Sequence, residues 1–409
     1  MSFTSKLNKN WRIFENVIFI LAFGFILYGL ITSYWQYIYD SVQGKGYLGA
    51  IIDPILSHEY YRSIISAIII LNSTCVLWEI ALFTIELIKQ ERGNTHGFSG
   101  YKNIFKKVAV NYKSSFLTFL MIHQLLPKLI LLHMFWIWFP YIQKFGLFTT
   151  NLQWYSWIYG YLIWEFANWV FHYSSHRVRL LWCLHAPHHA PSELNMTVNW
   201  VHFFAETYYS NLVLLVIATL LGVNPVMFLA LMSIESAWGM FIHVSDRALK
   251  NGDLGILQHL IITPSHHRVH HAKNPLYIDT NFASVVPLWD WLFGTLQPLK
   301  KEVDVDYGIT RELDVTNFID LYFGELFLLY NDIKNAAGIK NKLLYIVKPP
   351  GWTPTCAVKT AAALRREFLK TNPDLGITSK DRFLAALSKR VQNPDDYAAE
   401  IPESGVGEI

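Results

Sequence analysis

Three short stretches carry most of this chain's histidine. HYSSH supplies His172 and His176. HAPHH supplies His185, His188 and His189. HRVHH supplies His267, His270 and His271, with His266 adjacent. His243 stands alone between the second and third. Twelve of the sixteen histidines fall between positions 172 and 271. A packed core has no need of such a concentration, because imidazole is only moderately apolar and titrates near neutral pH, but it is also the commonest metal ligand among side chains. Residues at i, i+3 and i+4 share one face of a helix, so a helical conformation lets each group aim its rings at one point. A structural zinc takes about four protein ligands. The set His172, His176, His185, His188, His189, His243, His267, His270 and His271 exceeds that, and the surplus predicts two metal ions held close together. His266 is a further candidate, although His267 already supplies the spacing. His58, His96, His123 and His133 lie outside the cluster, and His202 and His259 are near it but fit no group.

Three polar residues are candidates to support the ligands from behind. Glu165 lies seven residues before His172, on the same helical face, where it could hydrogen-bond a ligand ring. Its alternative role is as a structural partner inside a helix bundle, since a carboxylate within a membrane is costly unless paired. Asn195 and Asp279 follow the second and third histidine groups.

The elements that must position these residues are apolar. Apolar residues make up 52% of the 409 positions and charged residues only 16%, which with a positive mean hydropathy points to a polytopic membrane protein. The predicted fold is an all-α integral membrane protein. Four spans are expected near 17–37, 63–88, 115–139 and 152–173, each able to cover the apolar slab that about 20 helical residues cross. Glu79 and Glu86 fall in the second, and Pro127 is expected to kink the third. Two shorter stretches, 207–221 and 225–243, joined by GVNP, read as a helical hairpin with Pro225 in the first turn of its second helix. The loop 89–114 holds Lys89, Arg92, Lys102, Lys106, Lys107 and Lys113 against Glu91 alone, whereas 39–62 holds Lys45 and Arg62 against Asp40, Asp53 and Glu59. By the positive-inside rule the first loop is cytoplasmic. Both termini and all three histidine groups then face the cytoplasm, as a cap at the ends of the spans. The N-terminal basic residues followed by a long apolar run read as an uncleaved signal anchor.

The expected organisation is an N-terminal span with its outer loop at 1–62, a membrane domain at 63–300, a further segment at 301–355 and a soluble tail at 356–409. Short helices are expected at 360–370 and 379–391. A net charge of +3, without a basic stripe interleaved with aromatics, excludes a nucleic-acid partner. Cys75, Cys183 and Cys356 are scattered without CxxC spacing and give no disulfide framework.

The HxxxH, HxxHH, HxxHH series at 172–176, 185–189 and 267–271 resembles the fatty acid hydroxylase and sterol desaturase superfamily of membrane di-iron oxygenases. Within it, LWCLHAPHHAPSELN at 181–195, TPSHHRVHHAKNPLYIDTNF at 263–282, WDWLFGT at 289–295, YGIT at 307–310 and the later PPGW resemble the alkylglycerol monooxygenase-like branch. The resemblance covers about 60–355. It implies two iron ions, O2, a lipid substrate entering from the bilayer and oxidation of an aliphatic C–H bond. The chain has no haem-attachment, dinucleotide or iron–sulfur motif, so the electron donor is external. The branch implies a reduced pterin such as tetrahydrobiopterin, and the wider family cytochrome b5 or a ferredoxin. The membrane implied is the bacterial inner membrane or the endoplasmic reticulum. The first group departs from the family's usual HRxxHE, with Tyr173 and Arg177 in place of Arg and Glu, and a base beside His176 favours an anionic partner. The alternatives are a sterol, fatty-acid or carotenoid hydroxylase or desaturase and, in a different class, a histidine-rich metal transporter or binding protein. Transport sites lie near the bilayer midplane, often with internal repeats, whereas these histidines lie at span ends and no repeat is visible.

Overall fold

A computed structural model describes residues 139–376, apart from 316 and 356–358, together with scattered helical positions between 70 and 85. The expected first span, most of the third, Pro127, the two loops that set orientation, the 379–391 helix and His58, His96, His123 and His133 lie outside the described residues. The described residues form helices and no strand; one isolated antiparallel bridge joins Ala272 and Tyr307. One described helix, Pro225–Ile242, is long and apolar enough to cross a membrane, and Ala205–Leu220 is a shorter apolar stretch.

The chain enters through α1 (Phe139–Gln143) and α2 (Trp154–Arg177). At 24 residues, α2 is about 36 Å long and runs past the expected span end at 173, carrying His172 and His176 on its last turns. The β-branched Val178, extended at φ −114° and ψ 116°, breaks the helix, and α3 (Arg179–His189) begins at the next residue. This single-residue corner folds the second histidine group back beside the first. Buried Arg179 reaches Asp332 at 3.5 Å and Glu325 at 4.0 Å, which ties α3 to the later helix α8 (Phe318–Asn335).

The expected hairpin is present as α4 (Phe204–Leu220) and α5 (Pro225–Ile242). Its turn needs Gly222, which has φ +78° and whose Cβ position would collide with Phe148. Asn224 then accepts from Val226 N at 3.0 Å, and Pro225 opens α5. The hairpin packs on α2 through Trp164 and Ala167 against Leu214, Leu215 and Ala218 of α4 and Met227, Phe228 and Leu231 of α5. Trp164 meets Phe228 edge-on at 4.9 Å.

Helix α6 (Pro264–His270) carries the third histidine group, with Pro264 in its first turn, and α7 (Leu288–Phe293) ends at left-handed Gly294. After α8 come α9 (Gly338–Val347) and α10 (Ala361–Thr371). The expected 360–370 helix is α10, capped by Thr360. Phe368 and Leu369 of α10, with Leu375, pack on Val269, Leu276 and Tyr277. Arg365 donates to Leu276 O and, at 2.7 Å, to Gln297 Oε1.

Candidate metal centre

The nine singled-out imidazoles converge as two groups. His172, His176, His185, His189 and His270 bring their ligand atoms within 4.8 Å of one another, and so do His188, His243, His267 and His271. All are buried except half-buried His172. The sequence reading aimed each HxxHH at one point, but the structure divides both. In α3, His185 and His189 join the first group while His188 turns to the second. In α6 and its capping residue, His267 and His271 join the second while His270 turns to the first. At about 100° per residue, i and i+4 diverge by about 40°, whereas i+3 lies on the other side of i by about 60°. Each box therefore braces two adjacent centres.

The rings are oriented from behind. Six present Nδ1 to an acceptor: His172 to Phe282 O at 3.0 Å, His176 to Asp279 Oδ1 at 3.2 Å, His185 to Glu206 Oε1 at 2.6 Å, His188 to Val198 O at 3.2 Å, His243 to Gly239 O at 2.6 Å and His270 to Thr280 O at 2.8 Å. An acceptor at Nδ1 keeps the proton there and turns the Nε2 lone pair inward. Nε2 atoms then crowd together: His267 and His243 at 2.8 Å, His271 and His267 at 3.0 Å, His189 and His185 at 3.1 Å. Nε2 of His176 and of His270 is buried without a hydrogen-bond partner. Lone pairs facing one another and orphaned buried nitrogens are costly unless a cation lies between them. Burial, with the neighbouring imidazoles adding to it, holds His188, His189, His267 and His271 well below the usual histidine range. Burial likewise takes His270 down to about 3. Neutral imidazole is the ligating form, so the donor set fits two nitrogen-ligated metal ions.

One turn supplies three of the six orienting acceptors. Residues 279–282, DTNF, give Asp279 Oδ1, Thr280 O and Phe282 O. Asp279 and Asn281 are left-handed, at φ 57° and 58°, a conformation that Asp and Asn tolerate best among residues with a side chain. Asn281 Nδ2 donates to His266 O at 3.0 Å and to Gln297 O at 2.7 Å, and its Oδ1 accepts from Gln297 N at 2.7 Å. Fully buried Asp290 of α7 accepts from Phe282 N, Ala283 N, Thr295 Oγ1 and Trp169 Nε1 at 2.6–3.1 Å.

The remaining sequence candidates are placed differently. Nδ1 of His266 accepts from Thr263 N at 3.3 Å and lies 3.1 Å from Thr263 Oγ1, completing a capping box at the start of α6. That commits its ring to the helix N-terminus and keeps it out of both groups. Glu165 accepts from Val285 N and Val286 N, not from a ligand ring, and so fastens α2 to the chain beyond the DTNF turn. Asn195 Oδ1 accepts from Thr197 N at 2.9 Å and Oγ1 at 2.6 Å, which caps the 3-10 turn Met196–Trp200 that presents Val198 O to His188. Asp279 does contact a ring. It also lies 3.6 Å from Arg177, which in turn sits over the Tyr173 ring at 5.3 Å. The basic residue of the first box is thus balanced within the chain. Burial pushes the Asp279 carboxyl up to about 6 against the opposing pull of Arg177.

Glu206, Asn281 and Asp290 were not singled out from the sequence. Glu206 joins His185 to His202, whose Nδ1 lies 2.9 Å from Oε2, and His202 stacks on His188 at 4.2 Å. The available signal was a carboxylate four residues after His202 at a helix start.

Two cavities reach the rings and share no lining residue. One of about 340 Å³ touches His172, His185, His188 and His267. The other, about 80 Å³, touches His176, His189 and His270 and is lined also by Trp182, Lys273 and Lys359.

Residues 157–295 match the family model described as fatty acid hydroxylase. The chain is 32% identical over 199 residues to an alkylglycerol monooxygenase of Xenopus tropicalis, covering 49% of this chain and 43% of that protein. It is 30% identical over 207 residues to the human alkylglycerol monooxygenase, covering 50% and 45%. To the ornithine lipid hydroxylase of Rhizobium tropici it is 28% identical over 156 residues, covering 38% and 46%. The chain spans about half the length of the curated relatives it matches. No solved structure matches it. All nine converging imidazoles fall inside the segment that matches the fatty acid hydroxylase model, and about half of the chain is similar to alkylglycerol monooxygenases.

Proposed function

We propose that this protein is a membrane di-iron monooxygenase that uses O2 to oxidise an aliphatic C–H bond of a lipid, with alkylglycerol ethers as its substrate. The observation that carries this reading is the convergence of nine buried, inward-facing imidazoles in two adjoining groups. His172, His176, His185, His189 and His270 would hold one iron, and His188, His243, His267 and His271 the other. Iron bound there supplies oxidation of an unactivated C–H bond by O2, with two electrons and two protons drawn from an external donor.

The chain's own residues supply placement. Glu206, Asp279 and the carbonyls of Val198, Gly239, Thr280 and Phe282 keep protons on the outer ring nitrogens. The larger cavity, walled by α2, α4 and α5, receives the lipid and shields the reacting carbon from water. The smaller cleft gives the electron donor a separate approach to His176 and His189. That donor is a reduced pterin in this reading, with cytochrome b5 or a ferredoxin as the alternative. The histidine groups and both termini face the cytoplasm, with four spans and the α4–α5 hairpin in the bilayer.

One comparison favours a second reading, hydroxylation of a different membrane lipid: the likeness to an ornithine lipid hydroxylase. Purified, iron-loaded protein assayed with an alkylglycerol and either reduced tetrahydrobiopterin or a reduced ferredoxin system separates the two. Ether cleavage dependent on pterin is expected. Turnover of another lipid, with none of alkylglycerol, would move the protein to the second reading.

A further inference from the structure

The larger cavity is lined, next to the rings, by groups that a hydrocarbon chain does not need. Asn168, Asn199, Thr207, Ser210, Asn211 and Glu235 all contribute to its wall, and among the described lining residues there is no lysine or arginine. Asn168 lies one turn before His172 on α2, about 6 Å along the axis, and Glu235 lies eight residues before His243, about 12 Å. Asn168 and Glu235 therefore lie within about the first two turns away from the rings.

Two carboxyl groups line this wall: Glu206, committed to His185 and His202, and Glu235. Asn168 Nδ2 donates to Glu235 Oε2 at 3.1 Å and Ser284 Oγ donates to Oε1 at 3.2 Å. These neutral donors fix the carboxyl in place and leave each oxygen a second lone pair. A carboxyl group on so apolar a helix is costly without polar partners, and such residues mark substrate positions when they line a cavity. Among the described residues that line the cavity, a phosphate or carboxylate head would find no lysine or arginine to pair with. The neighbouring amides and hydroxyls suit a neutral head that both donates and accepts hydrogen bonds.

We propose that Glu235, held by Asn168 and Ser284, is a positioning residue that accepts a hydrogen bond from a hydroxyl on the neutral head of the lipid, so that a carbon close to the head, not one deep in the chain, is presented to the histidine centre. This rests on reading the cavity as the lipid site of an oxygenase.

The test is a binding titration of the metal-loaded full chain in nanodiscs, without reductant, so that nothing turns over. The probes are 1-O-hexadecylglycerol and its 2,3-di-O-methyl ether. Wild type is expected to bind the diol ~3–10-fold more tightly, the range for a typical hydrogen bond. In Glu235→Ala the diol should fall to the affinity of the methylated lipid, with metal content and affinity for the methylated lipid unchanged. Ser284→Ala, which removes one holder and leaves the carboxyl, should reduce the diol preference by a smaller factor, and it decides the matter if Glu235→Ala does not fold. Equal affinity for the two lipids in wild type, or a preference that survives these substitutions, overturns the proposal. A protein that shows the preference but never oxidises a lipid with any donor would instead overturn the oxygenase reading.

Discussion

A single carboxylate, Glu206, holds two imidazoles at once, with His185 on Oε1 and His202 on Oε2. Glutamine there keeps one acceptor but turns an NH2 towards the other ring. Glu206→Gln is expected to lower metal affinity ~10–100-fold, as loss of a partner behind a ligand commonly does, measured by competition with a chelator. His266→Ala should behave differently. Its ring caps α6, so the variant should lose about 1 kcal/mol of stability and keep its full metal content, and metal loss as large as that of His267→Ala would contradict the capping role. Arg177 is tested through pH. It opposes the burial that pushes Asp279 up to about 6, and ionised Asp279 is the better acceptor for His176 Nδ1–H. Metal retention in wild type should therefore fall as pH drops through about 6, and in Arg177→Leu the fall should begin at higher pH. The same midpoint in both proteins would remove Arg177 from the account. The sequence made the converging histidines legible because i, i+3 and i+4 spacing is local. It hid Glu206 because the contact to His185 depends on how α4 docks on α3, and it offered His266 as a ligand because a capping box looks the same as an extra box histidine.

At the scale of elements, the DTNF turn does the most work with the fewest residues. Its two left-handed positions aim two carbonyls and a carboxylate at three rings of one group. Asp290 holds the turn through two backbone N–H groups, a hydroxyl and an indole. Asp290→Ala leaves those donors buried and unpaired, and with about 1.5–3 kcal/mol for each hydrogen bond to a charged group it should destabilise the fold by at least about 3 kcal/mol. Thermal unfolding of metal-loaded protein measures this, and a Tm within about 1 °C of wild type, on the order of 1 kcal/mol or less for a chain of this size, would show that the turn stands without Asp290. The sequence carried this element only as part of a family motif. Its role depends on pairing 282 with 172 and 290 with 169, separations no local pattern reports. The hairpin was legible because Gly222, Asn224 and Pro225 are turn and cap residues whose meaning is local. The division of each HxxHH between two groups was not, because it depends on the relative rotation of α3 and α6.

For the whole molecule, the buried imidazoles link stability to pH. Burial depresses His188, His189, His267, His270 and His271 in the fold, while in the unfolded chain they return to about 6.5. Below that value the unfolded chain binds more protons, so stability falls with pH by up to about 1.4 kcal/mol per pH unit for each ring. Metal-free protein should be stable above pH 7 and lose stability steeply between about 6.5 and 5.5. A flat Tm across that range would contradict neutral, buried rings. The helical, apolar character was legible in composition, whereas the packing of α10 beside the histidines depends on long-range contacts of Arg365 and Phe368 that the polar sequence after 300 does not announce. The central claim is that the two groups are two metal centres. Its most direct measurement is the metal content of the purified full chain, by elemental analysis against quantitative amino-acid analysis. Two ions per chain are expected, and one ion or none in a preparation that oxidises lipid would contradict the account.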